Sequence, residues 1–216
     1  MQLRAVLLGP PASGKGTQGR RLAEFFGVAY LSTGALLREA VENRTPLGLE
    51  AKPILDRGGY LPDELMNPIL GEWLDRHSDG WVLDGFPRSL PQARFLNDWL
   101  DDHGQSLDRV IALDVPIGEL LQRIHDRVEC PNCRWSGQFS QAIRGLCPVC
   151  QHAVAPRADD SEENFRSRHA AYVRFTVPLL DYYGSSGLLA HVAATAPADE
   201  VAASIQALFP PNAVTA

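Results

Sequence analysis

The stretch Gly9-Pro-Pro-Ala-Ser-Gly14-Lys15-Gly16-Thr17 constrains this chain more than any other. It follows a short apolar run, Leu3–Leu8, which reads as a buried strand. It opens a segment from Lys15 to about Phe26 whose Leu22, Phe25 and Phe26 form an apolar stripe at helical spacing. In that context a G-x-x-x-x-G-K turn becomes a phosphate-binding loop, because backbone N–H groups and a helix N-terminus together present donors to anionic oxygens. Lys15 would reach the β- and γ-phosphates of a nucleotide as a compact point charge, with the Thr17 hydroxyl near the same oxygens. A glycine-rich turn without a ligand is the plainer alternative, and Lys and Thr both in register argue against it.

The rest of the chain extends that start into an α/β pattern. The apolar runs Trp81–Leu83 and Val110–Val115 are each followed by helical spacing, and Leu188–Val192 precedes a helix near Asp199–Leu208. Strands alternating with helices predict a parallel sheet covered on both faces. Two stretches interrupt the rhythm. Residues 32–61 look helical without a strand signal, and Pro53, with Pro68 just beyond, argues against unbroken helices there. Residues 126–163 are rich in Cys, Pro and Gly and suit a small appended module. After it, Asp160 with Glu163 has the spacing of a capping box opening a long helix toward Tyr183. The expected division is a core of residues 1–31, 62–125 and 164–216, an insertion at 32–61 and a module at 126–163. Low-complexity sequence is confined to the last few residues.

All four cysteines fall within 21 residues, as Cys130-Pro-Asn-Cys133 and Cys147-Pro-Val-Cys150. Two C-x-x-C knuckles separated by 13 residues match a tetrahedral thiolate site with every position filled, hence a structural Zn²⁺. Disulfides fit poorly with the cytosolic character of the chain, and a redox C-x-x-C leaves the second pair unexplained. Iron or cobalt stays open on ligand type alone. The module has too few apolar residues for a core of its own, so the metal is expected to fold it.

Charge narrows the partners. Net charge is −6, against a large nucleic-acid footprint, and no apolar run is long enough to span a bilayer. Of the 20 basic residues only Lys15 and Lys52 are lysines. Asp84 ends an apolar strand at the edge where open α/β sheets bind ligands. Alone such an Asp is a turn former; beside a phosphate loop it becomes a candidate for holding Mg²⁺, directly or through water. Arg123 and Arg127 lie four residues apart in a predicted helix and so project from one face. By itself that pair is a solvated surface. The six histidines are scattered and none receives a role.

Several motifs resemble those of nucleoside monophosphate kinases, and of adenylate kinases in particular, from residue 3 to about 208. They are the Gly-Lys-Gly-Thr order at 14–17, Leu31-Ser-Thr-Gly-Ala-Leu-Leu-Arg38, Gly58-Gly-Tyr-Leu-Pro-Asp-Glu64, and Leu83-Asp-Gly-Phe-Pro-Arg88 with Gln92 following. Leu120-Leu-Gln-Arg123-Ile-His-Asp-Arg127 is similar to the helix entering that family's lid, and Arg157-Ala-Asp-Asp-Ser-Glu-Glu163 with Arg168 to the helix leaving it. The resemblance implies a three-layer P-loop fold with a helical monophosphate-binding insertion and a four-cysteine lid. It implies reversible Mg²⁺-dependent phosphoryl transfer, ATP + AMP = 2 ADP, in a cytoplasmic monomer whose two insertions swing freely, with no nucleic-acid or membrane partner.

By the same resemblance ATP is held by Gly9, Ala12, Ser13, Gly14, Lys15, Gly16, Thr17, Arg123, Arg127, Ser136, Gly137 and Ala196. AMP is held by Thr33, Arg38, Gly59, Tyr60, Leu61, Gly85, Arg88, Gln92, Arg157 and Arg168, with Gln92 on the adenine. Lys15, Arg88, Arg123, Arg157 and Arg168 act in catalysis, Asp84 serves Mg²⁺, and Cys130, Cys133, Cys147 and Cys150 hold Zn²⁺.

The chain also departs from that family's pattern. Ala12 stands where Gly is usual, Ala35 replaces the Asp that usually follows Ser-Thr-Gly, and Val128 replaces the second of two arginines. Gly137 stands where an aromatic residue is usual, and Ala194-Thr-Ala-Pro lacks the common Gly and Lys. Three rival readings follow: a kinase for another monophosphate, a catalytically retired homologue marked by Ala35, and a zinc-ribbon nucleic-acid-binding protein using Arg134, Trp135, Phe139 and Arg144.

Overall fold

A computed structural model describes residues 3–157 and 160–209. The expected low-complexity tail lies outside these residues, as do Ala158 and Asp159 of the Arg157–Glu163 motif. The first strand β1 (Arg4–Leu8) leads into α1 (Lys15–Phe26), then β2 (Ala29–Ser32), α2 (Thr33–Glu42), α3 (Pro46–Leu55) and α4 (Asp63–Arg76). Next come β3 (Trp81–Asp84), α5 (Leu90–Asp102), β4 (Arg109–Asp114) and α6 (Ile117–His125). The cysteine-bearing module supplies β5 (Arg127–Glu129), β6 (Ser136–Gln138) and β7 (Ala155–Pro156). The chain closes with α7 (Glu162–Ala171), α8 (Pro178–Ser185), β8 (Leu189–Ala193) and α9 (Ala198–Gln206).

The main sheet has the order β2-β3-β1-β4-β8 and every pair in it is parallel. Alternation along its strands sorts the core into two layers. Ala5, Leu7, Val82, Ile111 and Leu113 face α1 and α9, whose Leu22, Ala23, Val201 and Ile205 close that side. Val6, Leu8, Trp81, Leu83 and Val110 face the other way, against Leu70, Leu74, Leu96 and Tyr183 of α4, α5 and α8. Burying each such leucine contributes about 1.5–3 kcal/mol, so both faces of the sheet are needed. The predicted three-layer α/β architecture is the one found.

Four expectations need correction. Phe25 does not join the α1 stripe but is 43% exposed; the inner face is Gln18, Gly19, Leu22 and Ala23, because α1 packs over Tyr30 and Leu7 at Gly19. The insertion is not free of strand at its start, since Ser32 ends β2, which pairs with β3. Pro53 and Pro68 lie inside α3 and α4 without ending them. Both prolines are exposed, and so are Leu49 and Glu64 four residues earlier, so water can serve the carbonyls that lose a donor. Finally, α7 is capped by Ser161, whose Oγ accepts from the Asn164 N–H at 3.1 Å, and not by Asp160.

The register sets up the site. Leu7 and Ser32 both stand level with Asp84, and Leu8 with Ala112. The loops leaving β1, β2 and β3 therefore emerge side by side at the carboxyl edge of the sheet, where open α/β folds bind ligands.

Candidate active site

The phosphate loop is the floor of a cleft of about 840 Å³. Gly14 caps α1 with a left-handed backbone, φ 95°, and Ala12 is also left-handed, φ 66°. The departure at Ala12 is thus a side chain where glycine's freedom fits better. Lys15 folds back over the loop, donating to the Gly9 carbonyl at 2.8 Å and the Pro10 carbonyl at 2.9 Å. Burial of its ammonium lowers the pKa to about 8, Asp84 opposes that shift, and Arg88, Arg127 and Arg157 add to it. The side chain as a whole is only half-buried, so this burial belongs to the ammonium at the cleft floor.

Asp84, 8% exposed, faces the start of α1. Its Oδ2 accepts from the Tyr30 hydroxyl at 3.0 Å. Burial, with Asp84 adding to it, pushes the Tyr30 phenol far up, so it is a neutral donor at ordinary pH. A carboxylate oxygen donor beside a phosphate loop fits a hard cation such as Mg²⁺.

Arg38 and Arg88 converge over Gly34: from the point a Cβ would occupy there, Nη1 of Arg38 is 3.3 Å away and Nη2 of Arg88 is 3.9 Å. Arg88 is held by the Gly85 carbonyl, 2.6 Å from its Nε, and its guanidinium lies 4.5 Å from the centre of the Tyr60 ring. Its own carbonyl accepts from Thr176, in the wide turn Tyr172–Thr176 that joins α7 to α8.

The remaining arginines come from the module and the helices flanking it. Arg123 donates to the Ala194 carbonyl at 2.6 Å and pairs with Glu119. Arg127 makes a two-point pair with Asp160, whose carboxylate is almost fully buried and also faces Arg168 at 3.9 Å. Arg157 faces Glu129 at 3.7 Å. All six predicted arginines line one cleft with Lys15. A site so cationic, with carboxylates that orient the guanidiniums, suits a ligand carrying several phosphates.

Most predicted site residues line this cleft, including Gly9 to Thr17 apart from Pro10, Gly59, Tyr60, Gly85, Ser136, Gly137 and Ala196. Three stand behind its wall. Leu61 is buried in the core. Thr33 is buried with its hydroxyl on the Gly85 carbonyl at 2.9 Å. Gln92 accepts from the Arg88 N–H at 2.8 Å and donates to Asp63 at 2.7 Å, leaving one proton and one lone pair. The motif reading missed Tyr30, Asp160, Glu119 and Glu129, which hold site residues in place. It gave Trp135 only to the rival nucleic-acid reading, yet Trp135 lines this cleft: a Cβ on Gly137 would lie 2.5 Å from its ring, so the indole occupies the room a side chain at 137 would need.

The four cysteines form the second constellation. Their Sγ atoms all lie within 4.8 Å of one another and none is in a disulfide. The knuckles repeat each other. In one, the Arg134 N–H donates to Cys130 and the Cys130 N–H to Trp135; in the other, Gln151 donates to Cys147 and Cys147 to His152. Arg134 and Gln151 are both left-handed, φ 60° and 62°. Each such non-glycine turn costs about 1–2 kcal/mol. Phe139, Ile143 and Val149 of the module are exposed, so little apolar burial offsets that cost. The donor set and spacing are compatible with a tetrahedral thiolate metal centre.

Comparison with known proteins agrees with the geometry. The adenylate kinase family model matches residues 7–188. The chain is 40% identical over 205 residues to an adenylate kinase of Clostridium novyi, covering 92% of this chain and 94% of that one. It is 41% identical over 213 residues to one of Novosphingobium aromaticivorans, covering 96% and 99%. It is 40% identical over 210 residues to one of Methanocella arvoryzae, covering 95% and 97%. The chain therefore belongs to the adenylate kinase family.

Proposed function

We propose that the cleft carries out the family's reaction, ATP + AMP = 2 ADP, and that its residues divide the work as follows. The observation that carries this reading is the convergence of Lys15 and six arginines on one cleft at the carboxyl edge of the sheet. The loop from Gly9 to Thr17 holds the donor's β- and γ-phosphates through backbone N–H groups and Lys15. Arg38 and Arg88 hold the acceptor phosphate, with Tyr60 beneath Arg88. An oxygen of that phosphate attacks the γ-phosphorus, the bond to the β–γ bridging oxygen breaks, and its electron pair leaves with ADP. The attacking oxygen is already anionic, so no general base is needed. Catalysis is alignment plus neutralisation of charge on the transferring group, supplied by Lys15, Arg123, Arg127, Arg157 and Arg168. Mg²⁺, when bound, neutralises phosphate charge, and Asp84 would hold it.

Residues 32–61 serve as the acceptor-binding part and 126–163 as a lid, which excludes water from the transferring phosphate. Cys130, Cys133, Cys147 and Cys150 hold a structural Zn²⁺ that folds the lid. Gln92 reads the adenine of AMP through its remaining proton and lone pair. The chain works as a monomer in the cytoplasm. Among the described residues no helix is long and apolar enough to cross a membrane. The division of labour is tested by Arg38→Ala, which should raise KM for AMP at least tenfold while KM for ATP moves little. Equal shifts in both constants would contradict it.

A further inference from the structure

Tyr30 lies outside the motifs that define the site, yet its hydroxyl is 3.0 Å from Oδ2 of Asp84. Room for its ring is made by Gly19. A Cβ on Gly19 would lie 2.6 Å from Cε2 of Tyr30, and the same point is 2.9 Å from Cδ1 of Leu7. Glycine inside a helix costs about 1 kcal/mol relative to alanine, so α1 gives up helix stability at a position where the ring passes. The guanidinium of Arg20 covers the ring, 5.2 Å from its centre. At the far end, the hydroxyl and Oδ2 of Asp84 are each 3.8 Å from the point a Cβ on Gly16 would occupy, at the first turn of α1.

Asp84 needs such an orienting partner more than a carboxylate in a shared cluster would. Among the described residues three carboxylates line the cleft. Glu24 is exposed on α1, and Glu129 faces Arg157 and Arg134. Position 35, which also lines the cleft, holds alanine. Among the described residues Asp84 is thus the one acidic side chain that a strand end presents to the cleft, since Asp114 at the end of β4 does not line it, and position 35 offers no second carboxylate beside it.

We infer that Tyr30 is a positioning residue: its phenol holds Oδ2 of Asp84 and so leaves the other carboxylate oxygen turned toward the divalent cation that accompanies the nucleotide. This rests on the cation-holding reading of Asp84. Partners in the outer shell of a metal site orient the ligand, and their loss typically costs 10- to 100-fold in metal affinity.

The test is Mn²⁺ affinity of the enzyme bound to a non-hydrolysable ATP analogue, followed by electron paramagnetic resonance, for the parent, Tyr30→Phe, Asp84→Asn and the double variant. Melting temperature and the metal-free affinity for the analogue are measured alongside. Tyr30→Phe should weaken Mn²⁺ about tenfold, with the metal-free nucleotide affinity and KM for AMP within about twofold of the parent. In the Asp84→Asn background the same change should do nothing further. Unchanged Mn²⁺ affinity in Tyr30→Phe overturns the proposal, as does an equal loss in both backgrounds, which would mark a purely structural role. Unchanged affinity in Asp84→Asn overturns the reading of Asp84 itself and, with it, the role given to Tyr30.

Discussion

Arg134 of the cysteine-bearing module, which lines the cleft, is paired with Glu42 at the end of α2. Glu42 lies one helical turn beyond Arg38, and its carboxyl is held below its ordinary pKa by the hydrogen bond from Arg134. Arg134 also accepts from Arg20 of α1 through its backbone carbonyl. The module is therefore tied to α2 of the 32–61 insertion and to α1 in one closed arrangement. Both partners are partly exposed, so the pair contributes no more than about 0.2–1 kcal/mol and is screened by salt. Glu42→Gln should lower the closed-to-open ratio by about 1.4- to fivefold at low ionic strength, read by energy transfer between labels on the module and on α3. The difference from the parent should shrink at high salt. No change at low salt would show that the pair does not hold closure.

Ala12 should be improvable. Its φ of 66° is one that an L side chain adopts at a cost and glycine does not. Ala12→Gly should raise stability by up to about 1 kcal/mol, after subtracting glycine's greater freedom in the unfolded chain. For a chain of this size that is a rise of about 2–4 °C in Tm. Calorimetry showing a lower Tm would mean that the loop gains more from the methyl group than it loses.

The state of Lys15 gives a pH signature. Its pKa falls from 10.5 in an unfolded chain to about 8, first through burial of the ammonium. Between those values the unfolded chain holds more protons, so this group makes stability rise with pH across that window; below it the cost of burying the charge is fully present. A bound polyphosphate favours the ammonium. ATP binding at about pH 8.5 should therefore take up a fraction of a proton, visible in calorimetry as a dependence on buffer ionisation enthalpy. Lys15→Met should abolish it. Equal uptake in both would place the proton elsewhere.

Metal removal should act on the module before the core. With its left-handed turns at Arg134 and Gln151 and its exposed apolar residues, the module has little else to hold it. Chelation should release one Zn²⁺ per chain, lower Tm, and speed proteolysis within residues 126–157 while the main sheet persists. Proteolysis unchanged after the metal has left would contradict a structural role.

Local signals carried much of this structure, and non-local pairings account for what they missed. The start of α1 at Lys15 was legible because Gly14 and the loop define it within a few residues. The strand β2 was not: Ala29-Tyr-Leu-Ser32 is four residues long, and its pairing with β3 joins segments some fifty residues apart. Asp160 and Ser161 are both capping types, and capping rules alone do not choose between them. Arg127, 33 residues away, holds the Asp160 carboxylate in a buried two-point pair and leaves the cap to Ser161. In the site, motifs placed the phosphate loop and the six arginines because those residue types answer directly to phosphate. The partners Tyr30, Glu119 and Asp160, which hold Asp84, Arg123 and Arg127, carry no such mark and emerge only when the chain is folded.

The most direct measurement is ADP formation from Mg²⁺-ATP with AMP, GMP, CMP or UMP as acceptor, with Lys15→Ala beside the parent. Transfer to AMP is expected at a rate far above that to the other three, with a loss of at least about a hundredfold in kcat in Lys15→Ala, the scale of removing one preorganised charge-stabilising donor. Transfer mainly to another monophosphate would contradict the adenine reading of Gln92. No transfer to any acceptor, from folded and metal-loaded protein, would contradict the catalytic reading of the whole cleft.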